Sequence, residues 1–328
     1  MTRLLRVELR RLFTRRAPWL ALVAAALVAL AALWGVHQQA NQIDRARSGA
    51  DTALQQEQER WEQEGEQWVA DCEREQDSER RRTGDGTIDF GCDQMGPPTA
   101  EDFYGSMPSL VDQYDQLLGY LVYPFLLLPL ALGSTHVAAE FSHRTMGTWL
   151  TFVPRRGPVY ASKLGSAALA AVPVVGLGLV LVLVGVPALF RWHGIDDGVS
   201  GAQWGDLLWK AVRMTLLGAA AGAFGAAAGF LLRHSGAVIG LMLGYLTVVE
   251  GLVGAMLPSL SRYLLGNNID AVVDDGTEWR TYVDCTATGP CREVVHTLDL
   301  GQGALLLALV LTLLVALALW RFHRSDVE

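Results

Sequence analysis

Lysine is almost missing from this chain. Only Lys163 and Lys210 occur in 328 residues, against 24 arginines. A phosphate-binding loop needs Gly-Lys followed by Ser or Thr, whereas Lys163 follows Ser162 and Lys210 follows Trp209. No other nucleotide motif is present. Charge is scarce as well: charged residues make up 18%, below the roughly 25% of an ordinary soluble domain. The net charge of −8 supplies no overall basic field, which speaks against a nucleic-acid partner. The seven histidines are scattered, with no H-E-x-x-H and no His pair beside a carboxylate. His136 reads as a packed or interfacial residue rather than a ligand. No catalytic residue, metal site or cofactor of the chain's own is expected, and only Glu250 sits mid-way along an apolar run.

What the chain has in quantity is apolar sequence: 51% of residues, with a mean hydropathy of +0.25. It falls in six runs long enough to cross a bilayer, which takes about 20 residues each. Six such runs would overfill a soluble core. The expected fold is an all-α polytopic membrane protein. Its spans are 18–35, 117–139, 164–190, 207–232, 236–257 and 304–320, and the fourth and fifth (207–257) form a hairpin about Leu232-Arg233-His234-Ser235. One set of basic residues near the span ends falls on a single side if the chain crosses six times. They are Arg3 to Arg16 in segment 1–17, Arg144, Arg155, Arg156 and Lys163 in segment 140–163, Arg233, and Arg321 and Arg324 in tail 321–328. By the positive-inside rule that side, with both termini, is cytoplasmic. Loops 36–116, 191–206 and 258–303 then lie outside. The first of these carries 19 Asp/Glu against 7 Lys/Arg. The first span reads as an uncleaved signal anchor, since no small-residue cleavage site ends it. The bias of Arg over Lys is that of a GC-rich bacterial source, so the expected location is a bacterial plasma membrane.

All four cysteines, Cys72, Cys92, Cys285 and Cys291, fall in the two long external loops, the oxidising side in which disulfides persist. Four cysteines allow three pairings. The within-loop pairs Cys72–Cys92 and Cys285–Cys291 are favoured, and four free thiols are the alternative.

Residues 1–16 place Leu5, Leu9, Leu12 and Phe13 on one helical face with Arg3, Arg6 and Arg10 opposite. This fits an interfacial amphipathic helix on membrane lipids or a plain basic flank. Residues 37–82 are polar with few turn formers. They read as a helix prolonging the first span, part of a helical hairpin stapled by Cys72–Cys92, or else as a flexible acidic tether. Gly84, Gly86, Gly91 and Pro97-Pro98 form a break. Residues 279–285 and 291–297, rich in Trp, Tyr, Val and Thr, read as a β-hairpin or as a disordered loop. Gly218, Gly222, Gly225 and Gly229 form one small-residue stripe, and Gly236, Gly240 and Gly244 another. Such faces permit close helix approach, for static packing or for sliding.

The segment after the second span reads Glu140-Phe141-Ser142-His143-Arg144-Thr145-Met146-Gly147-Thr148-Trp149-Leu150, then Pro154-Arg155-Arg156 and Lys163. It resembles the coupling region of type-2 ABC export permeases. That family has a Glu leaving the second span, a Gly-Thr pair, a Leu, a Pro-x-Arg turn and a Lys entering the third. Here these are Glu140, Gly147-Thr148, Leu150, Pro154-x-Arg156 and Lys163. The basic N-terminal helix, the six spans and the large loops after the first and fifth spans match in layout. Arg144-Thr145-Met146 departs from the more charged run often found there. The resemblance implies a permease subunit of an exporter, with ATP and magnesium bound by a separate ATP-binding subunit. It also implies a second permease copy or paralogue completing the path. Glu140, Arg144, Gly147, Thr148, Leu150, Pro154 and Arg156 would lie at the ATPase contact. A non-transporting sensor or scaffold that binds a ligand through its acidic external loop is the alternative. Within the membrane, a lone charge at Glu250 costs several kcal/mol unless paired or hydrated. Depth along the fourth–fifth hairpin makes Arg213 its expected partner, with Lys210 as substitute, in either a static pair or a gate.

Overall fold

The computed structural model describes residues 2–99, 108–152, 155–194, 198–283 and 292–324. Pro154, Cys285 and Cys291 lie outside them. The chain divides into two compact units, 1–33 with 110–328, and 34–109.

Nine α-helices of eight residues or more are described. They are α1 (Thr2–Phe13), α2 (Arg16–Thr83), α3 (Leu110–Ser142), α4 (Thr145–Phe152), α5 (Arg156–Trp192), α6 (Gly201–Leu232), α7 (Ser235–Gly244), α8 (Leu265–Val273) and α9 (Leu300–Arg324). Six segments are long and apolar enough to cross a membrane: Arg16–Ile43, Leu110–Ser142, Arg156–Trp192, Gly201–Leu232, Ser235–Leu252 and Leu300–Arg324. These are the six expected spans, most of them longer than hydropathy alone outlined.

The fifth span is not a uniform α-helix. From Tyr245 to Val253 it winds as a π-helix, a wide form found often at functional sites, and Glu250 sits inside it. The fourth–fifth turn is built by capping. Arg233 takes a left-handed conformation (φ 55°), its N–H donating to the Gly229 carbonyl. His234 Nδ1 accepts from the Ala237 N–H at 3.1 Å and starts α7. At the other end of α6, Ser200 and Gln203 form a reciprocal capping box, satisfying donors that a helix start leaves open.

The larger unit is organised around α6, which packs on α3 and α5. The first glycine stripe makes this packing possible. A Cβ on Gly222 would meet the Ala167 carbonyl oxygen at 2.8 Å, and one on Gly225 would overlap the carbonyl of Leu130. Gly133 on α3 answers it, with the Gly222 carbonyl lying where its Cβ would be. Backbones therefore touch, as small-residue faces in membranes allow. The second stripe behaves differently: a Cβ on Gly240 or Gly244 would meet nothing within 4 Å. Two buried tyrosines tie spans together by donating to backbone carbonyls, Tyr114 to Leu183 at 2.7 Å and Tyr160 to Val315 at 2.9 Å.

Strands β1 (Thr277–Val283) and β2 (Arg292–Leu298) form the expected hairpin, antiparallel with Thr277 opposite Leu298 and Val283 opposite Arg292.

In the smaller unit, α2 continues helical to Thr83. Gly65 is accommodated because the Trp61 indole covers it. Among the described residues 84–99 the second helix of the expected hairpin is not present, and residues 100–107 lie outside the described ones. After Gly84, which takes φ 72°, the chain returns in irregular form, with a single 3-10 turn at Cys92–Gln94. Its glycines and prolines offer no helical run. The return is fastened by the Cys72–Cys92 disulfide, Cα atoms 5.8 Å apart. Arg80 Nε donates to the Ile88 carbonyl at 2.8 Å, and Gln58 Nε2 to that of Pro98 at 3.0 Å.

Candidate functional site

Where α1, α3 and α5 meet, a group of charged side chains is sealed from solvent. Glu8 of α1 and Glu140 of α3 are 1% exposed, and Lys163 of α5 is fully buried. Lys163 Nζ lies 2.7 Å from Glu140 Oε2 and 3.1 Å from Glu8 Oε2. Glu140 Oε1 also takes Arg11 at 3.2 Å and Arg15 at 3.1 Å. His136, one turn before Glu140, sets Nε2 at 3.5 Å from Glu8 and 3.3 Å from Ser166 Oγ. Arg15 adds a hydrogen bond to the His136 carbonyl.

The Glu8 carboxylate is held ionised by this surround. Burial alone would raise the Glu8 pKa, but the hydrogen bond with His136 and the charge and hydrogen bond of Lys163 outweigh it and bring the group down to about 2. Buried charges persist when paired and hydrogen-bonded in this way.

The cluster reaches α4 through Trp149. The Arg11 guanidinium stands 5.3 Å from its ring centroid and the Lys163 ammonium 5.9 Å, within cation–π range. Helix α4 is thus a short arm between the second and third spans, seated on the same ions that fix α1.

The structure separates the sequence-predicted coupling residues. Glu140, expected at or near the ATPase contact, is buried. Three cations surround the carboxylate there and compensate its burial. Arg144 is exposed, at the α3–α4 turn, with φ 53°. Gly147, Thr148 and Leu150 lie in α4. Arg156 is turned inward: it donates to the carbonyls of Phe322 at 2.6 Å and His323 at 3.0 Å, closing the C-terminal end of α9. Glu8 escaped the sequence reading. Its signal was present, because it is the only acidic residue before Asp44 in an Arg-rich segment.

A second ionic group sits at the opposite end of α3. Lys210 Nζ lies 2.7 Å from Asp115 and 2.6 Å from Asp274, and Arg213 pairs with Asp275 at 3.2 Å. This corrects the expected Arg213–Glu250 pair and the Lys210 substitute. The carboxylates that follow α8 come within reach of both cations and take them. Glu250 instead accepts from the Gly266 N–H at 3.0 Å. Both lysines of the chain are therefore buried between two carboxylates each, a compact point charge being suited to such a site.

Six apolar spans, three of them packed through glycine faces and tied by ion pairs near their ends, define a polytopic α-helical membrane protein. No family model matches the chain, and no curated protein or solved structure matches it. Among the described residues, no group of three or more His, Cys, Asp or Glu is arranged to hold a metal ion.

Proposed function

We propose that the chain is the permease subunit of an ABC exporter in a bacterial plasma membrane. In this reading it forms a translocation path with a second copy or a paralogue and is driven by a separate ATP-binding subunit. The observation that carries the reading is the seat of α4. It is a helix of eight residues between two long spans, resting through Trp149 on the Glu8–Lys163–Glu140 cluster. A push on α4 passes to three helices at once, because buried ion pairs and packed rings resist independent movement. The exposed Arg144 and the polar turn before α4 face the partner, while Glu140 and Arg156 hold the arm rather than touch it. Helix α1 lies along the inner leaflet, and both termini are cytoplasmic.

Co-purification of the full chain with the ATP-binding protein encoded beside it is the test. Arg144→Glu is expected to weaken the complex and leave the thermal stability of the isolated permease unchanged. A chain that recruits no ATP-binding protein, and whose Arg144→Glu variant changes nothing, would fit a sensor or scaffold instead. Cysteines introduced at Ser48 and Ser325 test the orientation in intact cells. Ser48 is expected to be labelled from outside and Ser325 protected.

A further inference from the structure

An apolar cavity of about 330 Å³ lies among α3, α6, α7, α8 and α9, within the roughly 300–1,000 Å³ typical of small-ligand sites. Its walls include Leu126, Leu217, Met242, Ile269 and Ala308, and its two polar lining residues are Tyr123 and Arg213. The surroundings of Tyr123 are acidic. A Cβ on Gly266 would meet Glu250 Oε2 at 2.8 Å and the Tyr123 hydroxyl at 3.0 Å, so the two groups flank one point of backbone. Asp270 follows the wall residue Ile269 and interacts electrostatically with Tyr123.

The charges at this end do not balance. Asp115, Asp270, Asp274, Asp275 and Glu250 face Lys210 and Arg213. Lys210 is shared by Asp115 and Asp274, and Arg213 is held by Asp275. Among the described residues, Glu250 and Asp270 form no ion pair. Burial, with the charges of Asp274 and Glu250, pushes the Asp270 pKa up to about 6 against the opposing pull of Lys210. Glu250 and Asp270 do not line the chamber but stand beside its wall at Tyr123 and Ile269, and an apolar chamber bordered by carboxylates without an ion pair is complementary to an occupant that is greasy and positive.

We propose that this cavity binds a monovalent lipophilic cation, its apolar body among the spans and its charge at the Glu250–Asp270 end. The guanidinium on the wall offers no net repulsion because Asp275 neutralises it. The site lies within a single chain, so binding requires neither an ATP-binding subunit nor a second copy. Its presence or absence is separate from the permease reading.

The test is equilibrium binding of radiolabelled tetraphenylphosphonium to the full chain in nanodiscs of zwitterionic lipid, corrected with protein-free discs. Tetraphenylborate, of the same shape and opposite charge, is the control. Saturable binding of the cation is expected, at least tenfold tighter than that of the anion. Ala308→Trp places an indole at the mouth of the cavity from an exposed position and should abolish it. The double variant Glu250→Gln with Asp270→Asn should weaken it about tenfold, its thermal unfolding being followed in parallel. Equal binding of the two ions would overturn the proposal, as would full cation binding in either variant. If a variant fails to fold, the cation-to-anion ratio of the unmodified protein still decides.

Discussion

Replacing Lys163 by Met keeps the length and apolar stem of the side chain and removes its charge. Two carboxylates then lose a partner at once, Glu140 at 2.7 Å and Glu8 at 3.1 Å. Removing one member of a buried ion pair costs roughly 3–5 kcal/mol, because the partner is left uncompensated. Glu140 still has Arg11 and Arg15, so the damage falls mainly on Glu8, whose remaining support is His136 at 3.5 Å. The loss expected is therefore at the lower end, about 3 kcal/mol. Thermal unfolding of the purified chain in detergent, followed by intrinsic tryptophan fluorescence, should show a clear drop in Tm. Adding Glu8→Gln to Lys163→Met removes the stranded charge and should recover part of the loss, a coupling that a double-mutant cycle measures directly. An unchanged Tm in Lys163→Met, or strictly additive losses in the cycle, would refute the claim that these three residues act as one unit.

The same cluster predicts a pH dependence. Glu8 has its pKa lowered from 4.5 to about 2 in the folded chain, so its stabilisation is fully present above pH 4.5 and is lost as pH falls towards 2. The Tm difference between the unmodified chain and Glu8→Gln should shrink across that window and be constant above it. Asp270 has the opposite sign: its pKa is raised from 3.8 to about 6, and stability present below 3.8 is lost as pH rises through 6. Asp270→Asn should therefore be the more stable form above pH 6, with the gap closing towards pH 3.8 in the same assay. The two glycine stripes should respond differently to alanine. Gly225→Ala drives a methyl group into the Leu130 carbonyl and should destabilise by roughly 1–3 kcal/mol, as overpacking does. Gly240→Ala meets open space and should leave Tm of the isolated chain unchanged.

Much of the architecture was legible in the sequence because a bilayer imposes a local rule. Each span must be continuous, apolar and about 20 residues long, so six spans could be counted without knowing any contact. The first disulfide followed from two cysteines twenty residues apart in one loop, and the β-hairpin from its composition. The site was only partly legible. Glu140 and Lys163 stood out by position and rarity, but whether they faced a partner or each other depended on where α1 packed. Glu8 stayed hidden because the helical pattern of α1 was judged by its leucines and arginines. Arg213 and Glu250 matched in depth along neighbouring helices, and depth says nothing about the direction a side chain takes around its helix.

The sequence by itself determined the number, extent and apolar character of the spans, because burial in lipid depends on each segment's own composition. Only the tertiary structure decided which charges meet. Asp274 and Asp275, more than sixty residues from Lys210 and Arg213, capture those cations because α8 folds back beside α6. Glu8 reaches Lys163, 155 residues away, because α1 lies against α5. Electrostatic pairing depends on distances of a few ångströms between chain segments that the sequence leaves far apart. The same holds for the glycine stripes: composition made both capable of close approach, and packing alone determined that one is filled and the other open.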